Sequence, residues 1–170
     1  MVTVRRLTLD DWDSWREVYE AVAAEGRWIG AELPIDWEPR RTGFEAMCEG
    51  EQAVGFVAEL DGEVVGELGG ELTPVGRAHL GMAILDAHRS AGIGSGLLDA
   101  FIAWARDRGA HKVELSLWPW NDRARGLYEK FGFVVEGHRR RHWRRNDGSL
   151  WDDVAMGLVL DEESPGPPAG

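Results

Sequence analysis

The sequence predicts a single α/β domain of the α+β kind, with a mixed, mostly antiparallel sheet of about seven strands and four helices. Three observations carry that expectation. Two alternating apolar runs, 52–60 and 63–72, flank Asp61-Gly62, a dipeptide suited to the type I′ turn of a two-residue hairpin. A further run, 80–85, passes through Arg89-Ser90-Ala91-Gly92-Ile93-Gly94-Ser95-Gly96 into the amphipathic stretch 97–105, and a strand resumes at 113. A strand reached through such a crossover returns parallel to the one before it. Late in the chain, alternating runs at 134–142 and 150–160 flank Asn146-Asp147-Gly148, a second hairpin signal.

Taken in order, residues 2–9 form the first strand. Asp10 or Asp11 caps a helix in which Trp12, Trp15, Val18, Tyr19 and Val22 recur at helical spacing, and Gly26 ends it. The segment 27–37, rich in aromatics and broken by glycine and proline, leads to a short helix over about 39–49. The hairpin 52–72 and a strand over 77–85 make a meander, turned by Thr73-Pro74-Val75-Gly76. Gly81 inside that strand suggests a bulge or a close backbone approach. The main helix covers about 92–108 and stops at Gly109; a strand over 113–118 ends at Pro119; a last helix over 122–131 stops at Gly132. One domain is expected over 1–160, and the proline-bearing acidic segment 161–170 reads as a disordered tail.

At 170 residues the chain is long enough to bury a real core, and its 44% hydrophobic and 29% charged content is that of a soluble globular protein. No apolar run approaches the roughly 20 residues that span a bilayer. The N-terminal Met1-Val2-Thr3-Val4-Arg5-Arg6 has no apolar core behind it, so no signal peptide is expected. The single cysteine, Cys48, excludes an internal disulfide and fits a reducing compartment, so the cytoplasm is the expected location. A net charge of −11 argues against nucleic acid or an anionic membrane as partner. It also favours cationic acceptors by steering, although surface acidity serves solubility as well.

The strand–glycine turn–helix junction at 89–96 gathers unpaired backbone N–H groups and the positive end of a helix dipole, which suits a phosphate or pyrophosphate. A dinucleotide fingerprint would place its third glycine at Leu97, and an NTPase phosphate loop would end in Gly-Lys. Neither is present. The pattern matched at every defined position is [RQ]-x-x-G-x-[GA], as Arg89-Ser90-Ala91-Gly92-Ile93-Gly94. Downstream, Asn121-Asp122-Arg123-Ala124-Arg125-Gly126-Leu127-Tyr128-Glu129-Lys130-Phe131-Gly132-Phe133 fits N-x-x-A-x-x-L-Y-x-K-x-G-F throughout. These two motifs, with a helix and a strand between them, resemble the paired signatures of the GNAT superfamily of N-acetyltransferases. The order of elements is similar from end to end, though the first 50 residues match only in outline. The departures are Asp86, where the family often has proline, and Ser90, where it often has glycine.

The resemblance implies a GNAT-type sheet splayed between its fourth and fifth strands, with acetyl-CoA as co-substrate and no metal. It implies that the N–H groups of Ala91, Gly92, Ile93, Gly94, Ser95 and Gly96 hold the pyrophosphate, with Arg89 and Ser90 beside it. Arg89 also reads as a surface arginine capping the loop. The pantetheine arm would pair with the backbone of Ala83, Ile84 and Leu85, where an N–H near the Gly81 bulge would polarise the thioester. Tyr128 matches the family's general acid, and equally reads as a core aromatic. Asn121 would touch the arm or a bound water, or cap the last helix.

The general base is not fixed by either motif. Glu67, Glu71 and His79 on the meander are candidates, with Glu71 and His79 put forward; His138 and His142 are weaker. Cys48 has no histidine placed beside it, and the resemblance implies direct transfer in a ternary complex. The basic run 137–145 reads as a charged edge strand, or as a site for CoA's 3′-phosphate, an acidic acceptor or RNA. Trp28, Trp37, Trp143 and Trp151 suggest an aromatic-walled acceptor pocket, or packing. The expected reaction is acetylation of a primary amine of a small molecule: an amino acid, a polyamine or an amine-bearing antibiotic. The alternatives are acetylation of a protein N-terminus, of the ribosomal-protein type, and a non-catalytic acyl-CoA-binding regulatory domain. A homodimer is among the expected assemblies.

Overall fold

A computed structural model describes residues 1–161. All but the first residue of the expected tail lie outside the described residues. The elements run β1 (Val2–Arg6), α1 (Trp12–Ala24), α2 (Trp37–Glu49), β2 (Ala53–Leu60), β3 (Glu63–Leu72), β4 (Arg77–Ile84), α3 (Ile93–Asp107), β5 (Lys112–Leu117), α4 (Asp122–Lys130), β6 (Val134–Arg144) and β7 (Leu150–Val159). They build one seven-stranded sheet in the order β1-β2-β3-β4-β5-β7-β6.

Each strand pair is antiparallel except β4–β5, as the helical crossover requires. Asp61 and Gly62 both take positive φ (51° and 89°), the conformation of a type I′ hairpin turn. The β4–β5 pairing covers only Arg77–Lys112, Ala78–Val113 and His79–Glu114. Beyond His79 the strands diverge, and the sheet opens as a cleft toward their C-terminal ends.

Helices cover both faces. On one, α3 buries Ile93, Leu97, Leu98, Phe101, Trp104 and Ala105 against the sheet, a stripe set by its 3.6-residue period. Gly70 lets Phe101 approach: a Cβ there would stand 2.4 Å from its ring. On the other face, Leu7, Trp15, Phe44 and Val57 form a second cluster with Trp12, Tyr19 and Trp37 around them. The Gly81 bulge is not found. The β3–β4 register runs unbroken through Gly69–Gly81, and Gly81 sits where β4 has already lost β5. Bulges occur instead between Ala58 and Glu59 and in β6.

Candidate active site

The cleft holds two cavities that meet. One, of about 690 Å³, lies between β4, the loop before α3 and the start of α4; Ile84, Ser90, Gly92, Ser95 and Leu127 line it. The other, of about 520 Å³, lies on the α1–α2 side and is lined by Tyr19, Glu67, Glu71, His79, Trp118 and Trp143. Trp28, Met82, Asn121 and Tyr128 line both.

At the first cavity, Gly92 is the cap of α3 in the left-handed region (φ 81°), and a Cβ there would meet nothing within 4 Å. The first N–H groups of α3, from Ile93 to Ser95, have no intrahelical acceptor. The Gly96 N–H already donates to Gly92 O at 3.2 Å. The other two glycines serve packing: a Cβ on Gly94 would stand 2.8 Å from Leu127, and one on Gly96 3.1 Å from Val4. Ser90, the departure from the usual glycine, takes φ 64°, a conformation that costs a side chain of its kind about 1–2 kcal/mol.

Arg89 lines the first cavity, but its guanidinium is engaged by protein groups. Its Nε donates to Ile84 O at 2.8 Å, and its Nη1 to Glu25 at 2.8 Å and Asp86 at 2.9 Å. Glu25 also accepts from Trp28 Nε1, and the Arg89 hydrogen bond holds its carboxyl below the usual range. The guanidinium thus ties the end of α1 to the end of β4. Arg89→Ala is expected to lower Tm by several degrees in the absence of acetyl-CoA. A residue that served only a phosphate would leave that ligand-free Tm unchanged.

Backbone parity determines which β4 groups face the cleft. Leu85 N donates to Val65 O at 3.0 Å, so odd-numbered residues pair with β3. Leu80, Met82 and Ile84 therefore turn their amides toward the departed β5, and Ile84 O is taken by Arg89. Of Ala83, Ile84 and Leu85, only Ile84 turns to the cleft, offering its N–H while its carbonyl is occupied, and Met82 joins it; the Leu85 N–H is taken by β3.

Tyr128 is buried, packed on Phe133 at 5.5 Å between centroids, and burial pushes its phenol well up. Asn121 caps α4, its Oδ1 accepting from Ala124 N at 3.2 Å, while still lining both cavities. Among the base candidates the structure separates three environments. Glu67 is 4% exposed and accepts one hydrogen bond, from Trp15 Nε1 at 3.1 Å; desolvation pushes its carboxyl up to about 7. Glu71 is exposed and makes no ion pair among the described residues. His79 is held at 2.6 Å from Glu114, which also takes Arg77 at 2.7 Å. His138 pairs with Asp152 at 2.7 Å, and burial pushes the Cys48 thiol up to about 11, an inert state.

The basic run is partly internal. Arg139 grips the buried Asp153 through Nε at 2.8 Å and Nη2 at 2.6 Å, and Trp143 Nε1 donates to the same carboxylate at 2.9 Å. Arg145, 5% exposed, lies 4.3 Å from the Trp151 ring and 5.3 Å from Trp118, and donates to Gly30 O at 3.0 Å. It pins the 25–36 loop to the β6–β7 turn, with Asn146 N donating to Glu32. The tryptophans divide three ways, with Trp151 lining neither cavity and packing against Arg145 and Trp118. Trp37 belongs to the α1–α2 cluster with Trp12 and Trp15. Trp28 and Trp143 line the second cavity, joined by Trp118, which stacks with Trp120 at 5.9 Å.

The family model for the Acetyltransferase (GNAT) family matches residues 11–133, well over half of the chain. The chain is 26% identical over 149 residues to an L-methionine sulfoximine/L-methionine sulfone acetyltransferase of Pseudomonas paraeruginosa, covering 85% of this chain and 86% of that one. A GNAT superfamily phosphinothricin acetyltransferase from Sinorhizobium meliloti, solved in complex with acetyl-CoA, superposes with a TM-score of 0.84 at 19% identity, covering 99% and 93% of the two chains. A ribosomal-protein-alanine N-acetyltransferase from Brucella melitensis gives 0.84 at 24% identity, covering 93% and 99%. The two structural likenesses carry the fold. The family match spans both motifs and the strands that open the cleft, and on that ground the chain belongs to the GNAT family of N-acetyltransferases.

Proposed function

We propose that the chain transfers the acetyl group of acetyl-CoA to a primary amine of a small molecule by direct transfer in a ternary complex. The observation that carries this reading is the position of Tyr128, which lines both cavities where they join, with buried Glu67 on one side of it only. The first cavity suits acetyl-CoA on three counts. Gly92 leaves open space at a helix N-terminus, the Met82 and Ile84 edge of β4 can pair with a strand-like arm, and the cavity runs from one to the other. When bound, acetyl-CoA supplies the acetyl thioester.

The chain's own groups divide the remaining work. The N–H groups of Ile93 to Ser95 would hold the pyrophosphate. The Met82 N–H, on a regular strand rather than a bulge, is the donor placed to polarise the carbonyl, worth about 3 kcal/mol when aligned. Glu67 takes a proton from the acceptor's ammonium, and Tyr128 Oη gives one to the departing sulfur. This reading takes Glu67 as the base in preference to Glu71 and His79, because its buried carboxyl, pushed up to about 7, lines the acceptor cavity, whereas His79 Nε2 is engaged by Glu114 at 2.6 Å and Glu71 is exposed.

Small-molecule acceptors are favoured over a protein N-terminus. Arg145 and Asn146 tie the 25–36 loop to the last turn, and Trp120 Nε1 donates to Arg27 O at 3.1 Å, so the loop beside the acceptor cavity is braced at both contacts, which suits a compact acceptor better than an extended peptide. A panel of amino acids, polyamines, aminoglycosides and N-terminal peptides, read by CoA release, tests this. Release with small amines and not with peptides is expected; release with peptides alone would overturn it, and acetyl-CoA binding with no turnover on any member would leave a regulatory domain.

A further inference from the structure

Half-buried Arg5, Arg77 and Arg89 each take a carboxylate partner: Asp11, Glu114 and Glu25. Arg40, equally half-buried in α2, differs. Among the described residues it has no carboxylate partner, and its one hydrogen bond runs from Nη1 to the Tyr19 hydroxyl at 2.8 Å, with the guanidinium 4.7 Å from the centre of that ring. Tyr19 in turn stacks on Trp15 at 5.4 Å, and Trp15 Nε1 donates to Glu67 at 3.1 Å. A cation on α2, two rings on α1 and a carboxyl on β3 thus form one cluster beside the acceptor cavity, which Tyr19 and Glu67 line and Arg40 does not.

The other surroundings of Glu67 offer its charge little. Its partners across the sheet are Val57 and Ala83, and Gly69 leaves the space beside it to Met47 of α2. Elsewhere on the same cavity His79 is held by Glu114 and Asp153 by Arg139, and Glu71 carries charge of the wrong sign. A carboxylate so enclosed needs a countercharge, and Arg40 is the cation whose field favours its ionised form. We infer that Arg40 is a positioning residue of the reaction: seated on Tyr19, it supplies the positive charge that lets buried Glu67 give up its proton and take one from the acceptor amine. The inference rests on Glu67 as the base. A carboxylate partner for Arg40 would cancel the charge that Glu67 uses, which accounts for an arginine left on an aromatic ring in a chain with 30 acidic side chains. Without Arg40, only the Trp15 hydrogen bond opposes the desolvation of Glu67, so the carboxyl holds its proton to higher pH.

The test compares the wild-type chain with Arg40→Met, Arg40→Gln, Arg40→Lys and, as a control, Arg41→Met, whose guanidinium pairs with Glu45. Infrared difference titration of the ligand-free protein follows the protonated carboxyl band identified by its loss in Glu67→Gln. The pH profile of kcat/KM is taken with acetyl-CoA and the panel amine that turns over fastest. Arg40→Met and Arg40→Gln, the second of which keeps a donor for Tyr19, are expected to raise both midpoints by about half a pH unit or more. Activity then falls about threefold or more at pH 6 and less than about 1.5-fold at pH 9, whereas damage to the fold would lower it equally at every pH. Arg40→Lys restores the wild-type midpoints, and Arg41→Met leaves them in place. A carboxyl band that titrates unchanged in both neutral variants, or that moves as far in Arg41→Met, would overturn the inference. A shifted band with an unshifted rate profile, or with no CoA release from any amine, would remove Glu67 from the proposed reaction and leave the action of Arg40 on its charge standing.

Discussion

Glu67→Gln lowers kcat/KM by about 10²–10⁴-fold, the range removed with a general base, and at the same time makes the protein more stable above pH 7. The two effects have one origin. The Glu67 carboxyl lies at about 7 in the fold against an ordinary 4.5, because burial penalises its charged form more than the Trp15 hydrogen bond favours it. Between those two values the folded chain keeps a proton that the unfolded chain has released. Its contribution to stability is therefore complete below about pH 4.5 and is lost as pH rises through 7. Above that, holding the ionised carboxylate in the cavity costs about 3 kcal/mol. Glutamine keeps an oxygen for Trp15 Nε1 and removes the charge, so Tm at pH 8 rises by several degrees as activity falls. The wild-type pH profile of kcat/KM inflects near 7, and the variant keeps only the rise set by the acceptor's own ionisation. Loss of activity with a lower Tm, or an unshifted inflection, would remove Glu67 from the mechanism.

Tyr128→Phe lowers kcat by about 10²–10³-fold while KM for acetyl-CoA stays within about threefold. The ring's contact with Phe133 survives the substitution, so the fold should change little. If Tyr128 were only a core aromatic, kcat would not move. Burial raises the phenol far enough that it stays protonated at every working pH, so no descending limb from Tyr128 is expected in the wild-type profile. A departing thiolate beside the same apolar surroundings is raised as well, which keeps the proton transfer feasible.

The parts of this site that were legible in the sequence are those fixed by local backbone. Gly92 and the start of α3 follow from one turn, and Asn121 and Tyr128 from one helix with its cap, so contiguous spacing carried them. The meander of β2 to β4 and the crossover to β5 were legible for the same reason, while the parity that turns Met82 and Ile84 rather than Ala83 and Leu85 to the cleft was not. What was not legible depends on packing across the sheet. Glu67 and Glu71 alternate on the same face of β3, and only the cover of α1, which brings Trp15 over Glu67, makes one buried and leaves the other exposed. Arg145 closes a run of basic residues that reads as a solvated edge, yet two tryptophan faces and the Gly30 carbonyl draw it inside. Trp37 sits within the acceptor segment by sequence, but it is the first residue of α2 and packs with Trp12 and Trp15 instead. Arg89 lies in the loop motif, and its partner Glu25 comes from 64 residues away, a pairing no local pattern announces.

In the proposed reaction the acceptor amine attacks the thioester directly where the two cavities join, Glu67 taking a proton from the amine and Tyr128 giving one to the departing sulfur. Rapid mixing of the chain with acetyl-CoA, first alone and then with an amine acceptor, measures this most directly when free CoA, N-acetyl product and protein mass are followed together. The account predicts no CoA release without amine, then release matched one for one by acetylated amine, with the protein mass unchanged. A burst of CoA before amine is added, accompanied by an acetylated protein, would contradict it.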